Sequence, residues 1–347
     1  LSSFSHIFGQ DAAIDWINRA YRSDHLPHGL IFAGPAGVGK TTTARALAKL
    51  FLCEQPKNAS ACGKCDSCRL CDAGNHPDLH IVTKELIRYH DKTGKSKGID
   101  LSINVVRPEV IEPAGRKPAM GRGKVFLIKQ AELMTAQAQN SLLKTLEEPA
   151  GRTLLVLLTD QPEALLPTIR SRCQTVRFAA LDPQHSTNEL VKRGIASDLA
   201  RRATAYTDGS LGLALKWIED GIIERADALT KMLQDVFASR PLADLPAWLK
   251  SAADAYAAKQ IDRDPLGSED QARREGIGVY LRLAGDVCRR RMVELADSGN
   301  AEALDQACDI VDALRQSETY LDANVNVSLV FQQLAATLDR ASIPTES

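Results

Sequence analysis

An apolar pentapeptide that runs straight into a glycine-rich loop and then a helix constrains this chain more than any other stretch. Gly29-Leu-Ile-Phe-Ala33 reads as a buried strand stopped by Gly34 and Pro35. Gly34-Pro-Ala-Gly-Val-Gly-Lys40-Thr41 follows the pattern G-x-x-x-x-G-K-[ST], and Thr41 to Leu52 carries Ala44, Leu47, Ala48 and Phe51 at helical spacing. Strand, loop and helix together are the context in which that pattern has a mechanism. The glycines let backbone N–H groups converge on phosphate oxygens, and the helix N-terminus adds partial positive charge. Lys40 is placed to reach the β- and γ-phosphates, and Thr41 to hold Mg²⁺ through its hydroxyl. The expected nucleotide site is Gly34, Pro35, Ala36, Gly37, Val38, Gly39, Lys40, Thr41 and Thr42, with ATP or ADP and Mg²⁺ as its ligand.

Two more apolar runs, Val125-Phe-Leu-Ile128 and Leu154-Leu-Val-Leu-Leu158, read as buried strands, and Val176 with Phe178 fits a last one. Between the two runs Met134, Ala138, Leu142 and Leu146 recur every four residues and predict a helix. Strands alternating with helices imply a mostly parallel sheet covered on both faces. Strand signals stop near Leu181-Asp182-Pro183. Helices are predicted over 196–206, 211–218, 225–237, 242–258, 279–296, 301–317 and 325–338. The charged stretch 262–276, with Pro265 and Gly267, reads as a loop. The 347 residues suffice for two or three domains. The expectation is an α/β domain, a small helical domain and a larger helical one.

The formal net charge of −1 gives no argument for nucleic acid or a membrane surface. Arg289-Arg-Arg291 is the only dense basic run, and it reads as a solvated helix face. The longest strongly apolar stretch, Leu154 to Leu158, is far too short to span a bilayer, so no membrane association is expected. Leu1-Ser2-Ser3-Phe4 shows no basic stretch leading into an apolar one, so no secretory leader is expected and the chain should be cytoplasmic.

A hydrolase built on such a loop places an acid at the end of a neighbouring strand to help hold Mg²⁺, and a Glu beside it to polarise water. The strand Lys124-Val-Phe-Leu-Ile128 runs instead into Lys129-Gln130-Ala131-Glu132. Lys129 stands where the Asp is expected and Gln130 where the Glu is expected; a cation there is electrostatically wrong for binding a metal. Glu132 lies three residues past Lys129, on a turn or helix start. Nucleotide binding without turnover is the expectation.

Five of the eight cysteines lie between Cys53 and Cys71. In a reducing compartment such a cluster reads as metal-binding before disulfide-forming. Cys53, Cys62, Cys65 and Cys68 form C-x8-C-x2-C-x2-C, and four thiolates close a tetrahedral Zn²⁺ sphere, which suits a structural site. Cys71 continues the three-residue spacing and His76 is close in sequence, so either could compete as a ligand.

These features together resemble the clamp-loader subunits of bacterial DNA polymerase III, an AAA+ family. The resemblance is carried by Gly34 to Thr41, the cysteine module, Asn75-His-Pro-Asp78, Asn140-Ser-Leu-Leu-Lys-Thr-Leu-Glu-Glu-Pro149 and Leu166-Pro-Thr-Ile-Arg-Ser-Arg-Cys173, and covers most of Phe4 to Phe178. It implies a P-loop AAA+ domain over 1–180 with a zinc module inserted at 53–71, a helical lid over 181–222 and a helical oligomerisation collar over 223–347. The family has an ATP-hydrolysing gamma/tau branch and a delta-prime branch whose members are stators. The acids replaced by Lys129 and Gln130 point to the stator branch. So does Gly209-Ser-Leu-Gly-Leu-Ala214: motors carry a nucleotide-sensing arginine in a similar stretch, where Gly212 and Leu213 stand here. The retained P-loop favours the alternative, a gamma/tau-type motor. A zinc-dependent nucleic-acid module with a vestigial P-loop is a third reading. The resemblance further implies assembly with gamma/tau and delta subunits in the polymerase holoenzyme, and loading of the beta sliding clamp on primed DNA. It also implies that Arg172 serves as a finger at a neighbour's ATP site. The alternative for Arg172 is an ion pair within its own domain, since Arg170 and Arg177 lie close by.

Overall fold

The computed structural model describes residues 4–90, 100–237, 245–265, 267–298, 301–323 and 325–342. The chain divides into two compact units, Leu1–Ala214 and Leu215–Ser347.

The first unit is built on five parallel strands, β1 (Gly29–Ala33), β2 (Leu79–Val82), β3 (Lys124–Ile128), β4 (Thr153–Thr159) and β5 (Gln174–Arg177), in the spatial order β2-β3-β4-β1-β5. Every residue of β1, β3 and β4 is buried, as expected of strands covered on both faces. Because side chains alternate across a strand, the apolar runs feed two cores. Leu30, Phe32, Val125, Leu127, Leu154, Val156 and Leu158 pack with α1 (Asp11–Arg22) and α2 (Lys40–Leu52) through Ile17, Ala44, Leu47 and Leu50. Ile31, Phe126, Ile128, Leu155 and Leu157 pack on the other face against Ala138, Leu142 and Leu146. The expected parallel α/β sheet is therefore present, with β1 paired between β4 and β5 and its loop leaving from inside the sheet. The sequence reading did not include β2 or α1. Only one residue of the four in β2 is fully buried, which is why no continuous apolar run marks it.

Three helices matter for the sites. The helix α3 (Asp66–Asp72) follows the cysteine loop, and α4 (Ala136–Glu147) carries the second core face. Its N-cap is Thr135, whose side chain accepts from the Ala138 N–H, and Pro149 lies just past its end. The short α5 (Pro167–Arg170) opens on a proline. The first unit continues with α6 (Pro183–Lys192), capped by Asp182, and α7 (Ser197–Tyr206); α8 (Leu211–Asp220) contains the division between the units.

The second unit consists of α9 (Ile222–Phe237), α10 (Leu245–Arg263), α11 (Glu269–Ser298), α12 (Ala301–Asp322) and α13 (Val327–Ser342). Residues 242–244 of a predicted helix lie outside the described residues. Tyr280 is buried, and Trp248 meets its ring edge-on at 5.4 Å. The loop predicted over 262–276 is corrected at both ends: α10 runs to Arg263 and α11 begins at Glu269. Its charges are helix-face pairs, Arg273 to Glu269 at 2.8 Å and Arg274 to Asp270 at 3.5 Å, each four residues apart. Such pairs support a helix and do not mark a break. Arg289 and Arg291 sit exposed on the same helix, paired with Asp286 and Glu294. Among the described residues no helix is long and apolar enough to cross a membrane.

Candidate functional site

The glycine-rich loop leaves β1 and turns into α2 with Gly34, Gly37 and Gly39 all at positive φ. No acid occupies the first turn of α2, so its free N–H groups keep their positive end for an anion. Lys40 Nζ donates to the carbonyl of Gly34 and, at 2.6 Å, to that of Pro35. Burial pulls the Lys40 ammonium down in pKa, while Asp160 and Glu132 oppose that shift. Thr43, one turn into the helix, donates its hydroxyl to Gly39 O at 2.9 Å and fixes the loop's exit.

At the tip of this loop the segment after Gly209 packs directly on the backbone. Ser210 Oγ donates to Ala36 O at 2.6 Å, and the Gly212 N–H donates to Gly37 O at 2.9 Å. A Cβ on Gly212 would stand 2.6 Å from that same oxygen, and one on Gly37 would stand 2.4 Å from the Leu213 nitrogen. Of the two positions at which the resemblance places a nucleotide-sensing arginine, Gly212 admits no side chain with the backbone as it stands and Leu213 carries an apolar one.

The two residues that follow β3 are Lys129 and Gln130, and the acids nearest the loop lysine come from further on. Lys129 directly follows β3, its N–H donating to Val82 O at 2.9 Å. Burial and then Arg45 push its ammonium down in pKa, while Glu85 opposes them. Gln130 takes the left-handed conformation with φ 49°, and Glu132 follows on the short helical turn Ala131–Leu133. Burial raises the Glu132 carboxyl; the Thr159 hydroxyl counters this and Asp160 adds to it. Two carboxyl groups therefore act on Lys40 from beyond the ends of β3 and β4. Asp160 had no place in the sequence reading. Its signal was an acid directly following the strand beside β1.

Arg172 is held in its own domain. Its Nε donates to Glu147 Oε1 at 2.7 Å, Nη2 pairs with the same oxygen, and Nη1 donates to Thr168 O at 3.0 Å. Its backbone is fixed from both sides. Ile169 and Cys173 are buried in the core, and Gln139 Oε1 accepts from the Leu166 N–H at 2.7 Å. Burial pushes the Cys173 thiol up to about 12. The Arg172 side chain nevertheless keeps 34% of its surface exposed.

The thiols of Cys53, Cys62, Cys65 and Cys68 lie within 4.8 Å of one another, a grouping that could hold a metal ion. A tetrahedral ion with bonds of about 2.3 Å to sulfur sets the sulfurs about 3.8 Å apart, and Cys62 and Cys68 are at 4.0 Å. Backbone N–H groups point at three of the sulfurs: Cys62 N–H to Cys53 at 3.2 Å, Cys65 N–H to Cys62 at 3.4 Å, and Cys68 N–H to Cys65 at 3.4 Å. Donation from the Lys64 and Cys65 N–H groups pulls the Cys62 thiol down to about 6, while burial raises the thiols of Cys53 and Cys68, which a bound cation would have to deprotonate. Cys71 falls outside the group. It packs against the core, and burial pushes its thiol up to about 11. His76 is also engaged elsewhere: Nε2 meets Ser67 Oγ at 2.9 Å and Nδ1 accepts from the Asp78 N–H at 3.1 Å. Asp78 in turn accepts the N–H groups of Ala119 and Met120 at 2.7 and 2.8 Å. Through its two buried members, His76 and Asp78, the Asn75-His-Pro-Asp78 motif is thereby a brace between the cysteine helix α3, the start of β2 and the loop before β3.

The family described as DNA polymerase III, delta subunit, matches residues 9–182. The DNA polymerase III subunit delta' of Bacillus subtilis is 35% identical over 200 residues, 57% of this chain and 56% of that protein. The subunit delta' of Pseudomonas aeruginosa is 34% identical over 236 residues, 66% of this chain and 68% of that protein. The matched part thus spans between about half and two thirds of these curated relatives. Among solved structures, a DNA polymerase III gamma subunit-related protein of Thermotoga maritima aligns with TM-score 0.47 at 18% identity, over 94% of this chain and 99% of that one.

Proposed function

This chain belongs to the delta' family of DNA polymerase III clamp-loader subunits, and from that premise we propose that it works as a stator. In this reading it assembles in the cytoplasm with gamma/tau motor and delta subunits. The complex loads the beta sliding clamp on primed DNA, and Arg172 reaches a neighbour's ATP. Residues 181–222 serve as the lid and 223–347 as the collar through which the subunits associate.

The observation that carries the proposal is Lys129 at the end of β3, in the place of the acid that would help hold Mg²⁺. Gln130 cannot act as a base, and Gly212 lies backbone to backbone on Gly37. The residues Gly34 to Thr42 still offer a phosphate cradle with Lys40, so ATP or ADP binds without turnover. Zinc fits the four thiols of Cys53, Cys62, Cys65 and Cys68; it would close its coordination sphere there and hold the module in shape, leaving no open position for chemistry.

Arg172 supplies a planar guanidinium that stays charged at any working pH. Presented to the phosphates of a neighbour's ATP, it stabilises charge built up in phosphoryl transfer, an effect worth roughly 10³–10⁵ in rate in finger systems.

The gamma/tau-type motor reading is supported by the retained phosphate loop and by the two acids Glu132 and Asp160 acting on Lys40. The purified chain decides between them. Negligible ATPase alone, with clamp loading restored in a mixture lacking only this subunit, is expected. Robust ATPase by the chain itself, lost in Lys40→Ala, would overturn the stator reading.

A further inference from the structure

We propose that Glu147 is the positioning residue that presents Arg172 to the neighbouring nucleotide. The proposal rests on the trans-arginine reading above and adds to it the part that aims the side chain.

A guanidinium carries five N–H donors: one on Nε and two on each terminal nitrogen. Glu147 Oε1 takes the side formed by Nε and Nη2, and Thr168 O takes Nη1. That leaves the second N–H of Nη2 uncommitted. The second on Nη1 meets only Ser171 Oγ, at a long 3.4 Å on an exposed hydroxyl. The clamp is therefore lateral. It fixes the plane of the guanidinium and leaves donors on both terminal nitrogens, the pair a phosphate takes in a two-pronged contact. The exposure of the arginine side chain agrees with an outward-facing edge.

Glu147 is also out of place by the rules of its own helix. It is the last residue of α4, where the carbonyl ends repel a carboxylate, and Glu148 follows it. Arg172 is its only ion-pair partner among the described residues. Local rules broken in this way mark sites selected for something other than helix stability. Holding a long side chain in its working geometry before the neighbour arrives removes the need to order it during the reaction.

Charge and orientation predict opposite results, which makes the proposal testable. On charge alone, removing the carboxylate leaves Arg172 a stronger partner for phosphate, and the rate rises. If Glu147 orients the arginine, the rate falls. The loader is assembled from this full chain with the gamma/tau and delta subunits of the same source, and its DNA- and clamp-stimulated ATPase is measured. Arg172→Ala is expected to lower kcat on the order of 10³-fold. Glu147→Ala should lower kcat on the order of 10-fold with the KM for ATP unchanged, and Glu147→Gln, which keeps the acceptor oxygen, should lose less. In the Arg172→Ala background Glu147→Ala should change nothing further.

If Arg172→Ala turns over at the wild-type rate, the trans-arginine reading fails and the proposal with it. If Arg172→Ala is impaired while Glu147→Ala keeps or exceeds the wild-type rate, the positioning proposal alone is overturned. It is overturned as well if the double variant is slower than Arg172→Ala. Should Glu147→Ala fail to assemble, Glu147→Gln in the two backgrounds carries the same test.

Discussion

Replacing His76 should destabilise the first unit in a way that can be taken apart bond by bond. The Ser67 hydroxyl donates to Leu52 O at 2.8 Å, so its oxygen must receive the proton on His76 Nε2, 2.9 Å away. The Asp78 N–H donates to Nδ1 at 3.1 Å, so that nitrogen must be bare. The brace therefore requires the neutral imidazole with its proton on Nε2. His76→Ala leaves the Asp78 N–H without a partner and the Ser67 oxygen with its donation to Leu52 O but no donor of its own, and both residues are buried. Each unmade bond costs about 1–3 kcal/mol, and a water in the vacated space offsets part of it. A net loss of about 3 kcal/mol corresponds to roughly 6–12 °C in the unfolding midpoint of a unit this size. His76→Gln keeps the donor toward Ser67, and His76→Asn keeps the acceptor for Asp78. Each should lose roughly half as much. Burial holds the imidazole below its ordinary value of about 6.5. The unfolded chain then takes up the proton first as pH falls, so this contribution is present above about pH 6.5 and is lost below it. Neither Gln nor Asn titrates, so stability between pH 5 and 7 should flatten in both variants. Thermal denaturation across that range, with bound metal measured at each pH to separate loss of the ion, is the assay. A midpoint for His76→Ala within 2 °C of wild type, or an unchanged pH slope in Gln and Asn, would refute the reasoning.

Protein purified without chelator should carry one zinc per chain by elemental analysis, and changing Cys62 and Cys65 together to Ser should abolish it. Stoichiometric zinc retained in that variant would dismiss the ligand assignment. Fluorescent ADP should bind the isolated chain and Lys40→Ala should weaken that binding at least 10-fold, since the loop holds this ammonium where the phosphates are expected; equal affinity in the two would mean that the nucleotide is not held by the loop. Gly212→Ala should cost about 1–3 kcal/mol by denaturant unfolding, because its Cβ would stand 2.6 Å from Gly37 O. A neutral effect would mean that the contact between residue 212 and the loop yields freely.

Much of the first unit was legible because its signals are local. The apolar runs of β1, β3 and β4, the spacing of Gly34 to Lys40, and the two-residue gaps between Cys62, Cys65 and Cys68 each specify geometry within a few residues. Lys129 and Gln130 could be placed because they follow directly on a recognisable strand. Local reading failed where burial is uneven, as in β2, and where charges that suggested a loop pair along a helix, as at Arg273 and Arg274.

Local spacing names most of the residues able to carry chemistry, but Asp160 and Glu147 emerge only from the fold, which also sets whom each residue meets. Arg172 and Glu147 are 25 positions apart, and Ser210 and Ala36 are 174 apart. No periodicity spans such separations, since each pair meets only after the sheet has closed in the order β2-β3-β4-β1-β5. Cys71 continues the spacing of the cysteine cluster yet falls outside it, because the direction in which α3 leaves Cys65 turns that side chain toward the core. Spacing sets what the backbone can bring together; packing selects which of the candidates arrive.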